Sequence, residues 1–195
     1  MKRRKGGRFG SLVFFIPVIL VLAVIAYAII AGSVSPVGTL TIKAQSSGQY
    51  YPAVGLNATA KVGAHSGVTP FSLSLTEGTY TVTFATLPWY SAPAPRTVDL
   101  VAGTTTFAVG VYDPLVRTVS ISGDQFNNTR LTAMHGVTPV VWVNRMSQDV
   151  VLHSSATGNV VVPAAQNFTY VFKAAGTFTF SIPASDSPEL VVAVG

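Results

Sequence analysis

Twenty uncharged residues in a row, LVFFIPVILVLAVIAYAIIA at positions 12–31, constrain this chain more than any other feature. At a helical rise of about 1.5 Å per residue the run reaches roughly 30 Å, the thickness of a bilayer's hydrocarbon core. A basic flank precedes it, formed by Lys2, Arg3, Arg4, Lys5 and Arg8. The other seven Lys and Arg are matched by seven Asp and Glu, so the whole net charge of +5 belongs to the flank. Nucleic-acid binding needs a basic face on the folded part, and a neutral outer region excludes it. Positive charge beside a spanning segment stays on the cytoplasmic side. The expectation is a single-pass cell-membrane protein: a cytoplasmic flank at 1–10, a transmembrane helix at 11–32 and residues 33–195 extracytoplasmic. Its first partner is then the lipid bilayer.

Two alternatives bear on that segment. A cleaved secretory signal has an apolar region of about 7–15 residues followed by a small-x-small site. Here the run is longer, and Ala26-Tyr27-Ala28 lies inside it. Gly6, Gly7 and Gly10 loosely resemble a pilin-type leader, which implies removal of the basic segment and retention of the helix in a filament. Phe9 stands where that pattern has Lys or Arg. An uncleaved anchor fits the length best.

Beyond residue 32 the composition turns to Val, Thr, Ser, Gly, Ala and aromatics, with no convincing 3.6-residue period. That pattern predicts an all-β region. There is length for two small sandwiches of about 80 residues each, near the lower limit for a self-sufficient core. With no cysteine in the chain, neither disulfides nor thiolate chemistry is available. Sequons at Asn57, Asn127 and Asn167 are candidate glycosylation sites and suit an extracytoplasmic surface, for instance an archaeal one.

In 33–113 the segments TLTIKA, FSLSL and YTVTF alternate, setting Phe71, Leu73 and Leu75 on one face and Tyr80, Val82 and Phe84 on another. Turns fall at Glu77-Gly78-Thr79 and Ala102-Gly103-Thr104. The stretches Gly67-Val68-Thr69-Pro70, Leu75-Thr76-Glu77-Gly78-Thr79-Tyr80 and Val101-Ala102-Gly103-Thr104 resemble the PEGA domain and the wider carboxypeptidase-regulatory-like sandwiches. The resemblance implies a structural or binding module without catalytic residues. Trp89 and Tyr90, set between Pro88 and Pro93, are candidates for an exposed glycan or partner contact; the alternative is a loop folded over the sandwich edge.

In 114–195 the order of segments resembles a cupredoxin: the strand Val141-Trp142-Val143-Asn144, then His153, then Tyr170-Val171-Phe172, the hairpin Ala175-Gly176-Thr177-Phe178-Thr179-Phe180, and a closing Leu190–Val194 strand. The resemblance implies a Greek-key β-sandwich and a copper site at its end. A blue-copper centre takes two imidazoles and a thiolate. His153 matches the family's first imidazole, but Ile182 stands where the Cys belongs, and Pro183-Ala184-Ser185-Asp186-Ser187-Pro188 supplies neither the second His nor a Met. No cofactor is expected. The remaining metal candidates are His153, Asp149 and His135; positions 149 and 153 share a face of an alternating strand.

No nucleophile elbow, zinc-protease helix signature or phosphate-cradling glycine loop occurs, and the seven acids are scattered. The expectation is therefore a non-enzyme: an extracytoplasmic accessory or structural subunit of a membrane complex, with a respiratory oxidase or copper monooxygenase assembly as the sharpest version by analogy. Its partners are then other subunits of that complex. A cell-surface adhesion or filament component, and a metal-binding or electron-transfer protein, remain as alternatives.

Overall fold

The computed structural model describes residues 22, 36–183 and 185–195. The expected membrane helix at 11–32 lies outside the described residues apart from Leu22. Among the described residues no helix is long and apolar enough to cross a membrane.

From residue 36 onward the described chain is all-β. Eight strands come first: β1 (Val37–Ser46), β2 (Thr59–Val62), β3 (His65–Val68), β4 (Phe71–Thr76), β5 (Gly78–Phe84), β6 (Tyr90–Ser91), β7 (Arg96–Leu100) and β8 (Thr105–Pro114). They form two sheets ordered β4-β1-β8-β6 and β3-β2-β5-β7, in which β1 and β8 run parallel and the other pairs antiparallel. Strand periodicity explains the core. Leu40, Ile42 and Ala44 project from one face of β1, Ala108 and Tyr112 from β8, and Ala60, Val62, Val82, Phe84 and Leu100 meet them from the second sheet. Phe71, Leu73, Leu75 and Tyr80 pack around this cluster half-buried, on the faces that alternation assigns them.

Two polar side chains close the first cluster. Buried Thr69 accepts a hydrogen bond from the Ala58 amide (3.0 Å) and donates one to the Leu56 carbonyl (2.7 Å), tying the segment before β2 to the turn before β4. Tyr112 donates its hydroxyl proton to the Ala85 carbonyl at 2.6 Å. Burial raises the pKa of that phenol, which keeps it protonated and able to donate.

Nine strands follow: β9 (Arg117–Ser122), β10 (Gln125–Phe126), β11 (Arg130–Ala133), β12 (Pro139–Asn144), β13 (Val150–Ser154), β14 (Gly158–Val162), β15 (Asn167–Val171), β16 (Gly176–Ser181) and β17 (Leu190–Val194). Their sheets are ordered β10-β9-β12-β15 and β11-β17-β16-β13-β14, with β9/β12 and β11/β17 as parallel pairs. A second cluster lies between these sheets. Trp142, with no exposed surface, sits 5.5 Å from the Phe168 ring of its own sheet and 4.5 Å from Phe180 of the facing one. Val119, Ile121, Leu152, Leu190 and Val192 fill the space around it.

Several short strands are absent from the sequence-based expectation: β2, β3, β6, β10, β11 and β14. β3 turns no side chain inward and the others only one or two, too few for alternation to register. In β2, Lys61 projects outward between buried Ala60 and Val62. The strand around Trp142, expected over Val141–Asn144, begins two residues earlier at Pro139. Buried Thr138 is held in the preceding turn, where its hydroxyl oxygen accepts from the Met134 amide at 3.0 Å and its own amide donates to the Met134 carbonyl. Proline as the first residue of a strand sacrifices no ladder bond within it.

Gly110 shows how tightly the first cluster closes. A Cβ placed there would lie 2.8 Å from the Phe84 ring, which is itself held edge-on against Tyr112 at 6.5 Å. Gly110→Ala is expected to lower unfolding free energy by about 1–3 kcal/mol through overpacking, measured by chemical denaturation. Pairing it with Phe84→Leu should recover part of that loss.

Candidate functional site

The one ligand implied by resemblance is copper, so the end of the second sandwich that carries His153 comes first. Along β13 the side chains alternate: Val150 and Leu152 enter the core, while Val151 and His153 face out. His153 pairs with Ser181 at the end of β16. Just past that strand the chain turns Ile182 inward, where it is 8% exposed and joins the cluster around Trp142.

A surface pocket of ≈ 500 Å³ lies over this strand end, lined by Asp124, Gln148, Asp149, Val150, Val151, His153, Ile182 and Pro183. Asp124 arrives through a two-residue hairpin between β9 and β10. Gly123 and Asp124 both have positive φ (55° and 58°), the geometry of the turn that matches strand twist. The Asp124 carbonyl accepts a hydrogen bond from the Ser185 hydroxyl at 2.9 Å, which fastens this turn to the loop after Ile182.

Asn144 was not singled out in the sequence, yet it positions much of the pocket. It is buried at the end of β12, and its amide nitrogen donates to the carbonyls of Gln148 (2.8 Å), Val162 (3.0 Å) and Pro163 (3.1 Å). Its side-chain oxygen accepts from the Met146 amide at 2.9 Å. One side chain therefore pins both the 144–149 loop and the 162–166 turn. Asp149, at the end of that loop, accepts from the Ala164 amide at 2.9 Å. The only sequence signal was an Asn closing an apolar strand two residues after a Trp.

The donor set does not fit copper. Asp149 and His153 line the same pocket, as their spacing suggested, but Asp149 already has an oxygen engaged by the 162–166 turn. His135 lies elsewhere: its Nδ1 contacts the Gly195 carbonyl at 2.8 Å. Gly176 pairs with Val194 and Ser181 with His153, so the backbone positions beside the two histidines lie at opposite ends of β16, about 17 Å apart at the usual strand rise. His65 belongs to β3, beside the other core cluster. Among the described residues no group of three His, Cys, Asp or Glu side chains is placed to hold a metal ion. A thiolate and two converging imidazoles are the chemistry that a blue-copper centre requires, and these residues supply neither.

The remaining candidates are dispersed. Trp89 occupies a turn with φ 68°, its ring half-buried under the Arg117 guanidinium at 5.6 Å, and its carbonyl accepts from the Leu115 amide. Tyr90 turns the other way and packs edge-on against Tyr112 at 6.1 Å. The two rings therefore share no common face. Asn57, Asn127 and Asn167 are all exposed, although the Asn127 side-chain oxygen accepts from the Ser120 amide at 2.7 Å.

Two outcomes follow from the Asn144 node. Asn144→Ala is expected to lower stability by about 2–3 kcal/mol, because buried carbonyls lose their donor; calorimetric unfolding measures it. Asp149→Ala should leave the core intact and cost no more than about 1 kcal/mol, while amide exchange at Ala164 accelerates in hydrogen–deuterium exchange.

No family model matches the chain, and no curated protein matches it. Solved structures do. One is the Cu(I) form of an amicyanin variant, at 20% identity and a TM-score of 0.36, covering 41% of this chain and 82% of that one. Another is the oxidised state of a second amicyanin variant, at 21% identity and a TM-score of 0.36, with the same two coverages. Such values bear on the shape of the β-fold alone, and no chemistry passes from amicyanin to this chain on their strength.

Proposed function

We propose that this chain is a non-catalytic, membrane-anchored subunit of an extracytoplasmic assembly. In this reading a PEGA-like sandwich stands next to the membrane and a cupredoxin-like sandwich without copper stands beyond it. The observation that carries the proposal is Ile182. At the position where the resemblance puts the copper thiolate, an aliphatic side chain completes the core beneath His153. Converting that position to a ligand would cost the core a large apolar group, so the frame is committed to packing. The neutral outer region and its low content of ionisable groups support a role in contact with other subunits.

Purifying the full chain from its native membrane in mild detergent tests the reading in three ways. Intact mass should report an unprocessed basic flank, whereas loss of that leader favours a filament component. Metal analysis after incubation with Cu(II) and desalting should find far less than one copper per chain, and His153→Ala should not change the result. Stoichiometric copper lost in His153→Ala overturns the proposal and favours an electron carrier. Integral-membrane polypeptides should copurify in fixed ratio.

A further inference from the structure

A second pocket, of ≈ 510 Å³, lies away from His153 at the open side of the second sandwich. Its lining is Arg117, Arg130, Leu131, Thr132, Val191 and Ala193. Arg130 and Thr132 come from the edge strand β11, and Val191 and Ala193 from its parallel neighbour β17. Arg117 opens β9 in the facing sheet. Two arginines and a threonine thus line the space beside the aliphatic Val191 and Ala193, and no acidic residue lines it.

Arg117 is prepared for a partner. Its guanidinium is fixed over the Trp89 ring at 5.6 Å, so little rotamer freedom remains to be lost on binding. Its Nε is shielded from solvent and has no hydrogen-bond partner among the described residues. A cation partly stripped of water and left uncompensated gains more from an incoming anion than a fully hydrated one does. The planar fork of donors on each guanidinium matches a carboxylate geometrically. A volume of this size suits a small ligand, and Val191 and Ala193 give its body an apolar surface.

We infer that this pocket binds a carboxylate carried on a compact apolar body, with the head group held by Arg117 and Arg130 and the body against Val191 and Ala193. The carboxylate can come from a free organic acid or from the end of a polypeptide with an apolar last residue. Neither source depends on the copper-free reading of the His153 end.

Isothermal titration of the full chain in detergent with benzoate, benzamide, inorganic phosphate and N-acetyl-Ala-Phe tests it. Saturable binding of benzoate with a rise in Tm is expected, with benzamide at least about tenfold weaker through the loss of one charge-assisted contact, and phosphate weaker because it has no apolar body to bury. Arg130→Gln, on an exposed residue, should weaken benzoate by a similar factor and leave the Tm of the free protein unchanged. Arg117→Lys keeps the charge but loses the fork and should also weaken it. Tighter binding of N-acetyl-Ala-Phe than of benzoate identifies the polypeptide end as the source; the reverse identifies the free acid. Equal binding of benzamide, phosphate binding as well as benzoate, no measurable benzoate binding, or affinity unchanged in both Arg variants overturns the inference.

Discussion

Trp142 carries the second sandwich. Its indole lies between Phe168 of its own sheet and Phe180 of the opposite sheet, and Phe172 extends the stack by meeting Phe180 edge-on at 6.2 Å and Phe178 at 4.9 Å. A core ring of this kind is worth about 3–5 kcal/mol when truncated, comparable with the 2–5 kcal/mol that a native disulfide supplies to a small secreted domain. In a chain with no cysteine, aromatic packing takes over that work. The indole nitrogen has no partner among the described residues, so the arrangement accepts a polar cost for the area it buries.

What lies at the ends of the sandwich follows from that stack. β12 runs between β9 and β15, and two residues beyond Trp142 it ends in Asn144, whose three carbonyl partners fix the loop and turn that flank His153. The rigidity of the His153 pocket is therefore inherited from the core. Its lining holds one histidine and two aspartates, and the backbone around them is tied to Asn144.

Much of the fold was legible because long strands alternate. β1 and β8 each set at least three side chains into one face, and β17 matches the expected closing strand residue for residue. β2, β3, β6, β10, β11 and β14 were not legible, since pairing with neighbours rather than their own pattern makes them strands. Among candidate site residues, Asp149 and His153 line one pocket, His153 from the outward face of β13 and Asp149 from the loop just before it. Trp89 and Tyr90, adjacent in sequence, point to different neighbours because a positive φ at Trp89 turns the chain between them. No local rule announces that turn.

By itself the sequence determined composition-level facts: an uncharged run of membrane-spanning length, a neutral β-forming remainder, and the absence of any cysteine. These are properties of single residues or short periods, and they need no neighbours to be read. Only the tertiary structure decided which distant residues meet. Arg117 and Arg130, from different sheets, line one pocket, Asn144 binds carbonyls up to nineteen residues away, and His135 lies at the far end of β16 from His153. Sheet order and register set those meetings, and both arise from long-range pairing that the local pattern does not encode.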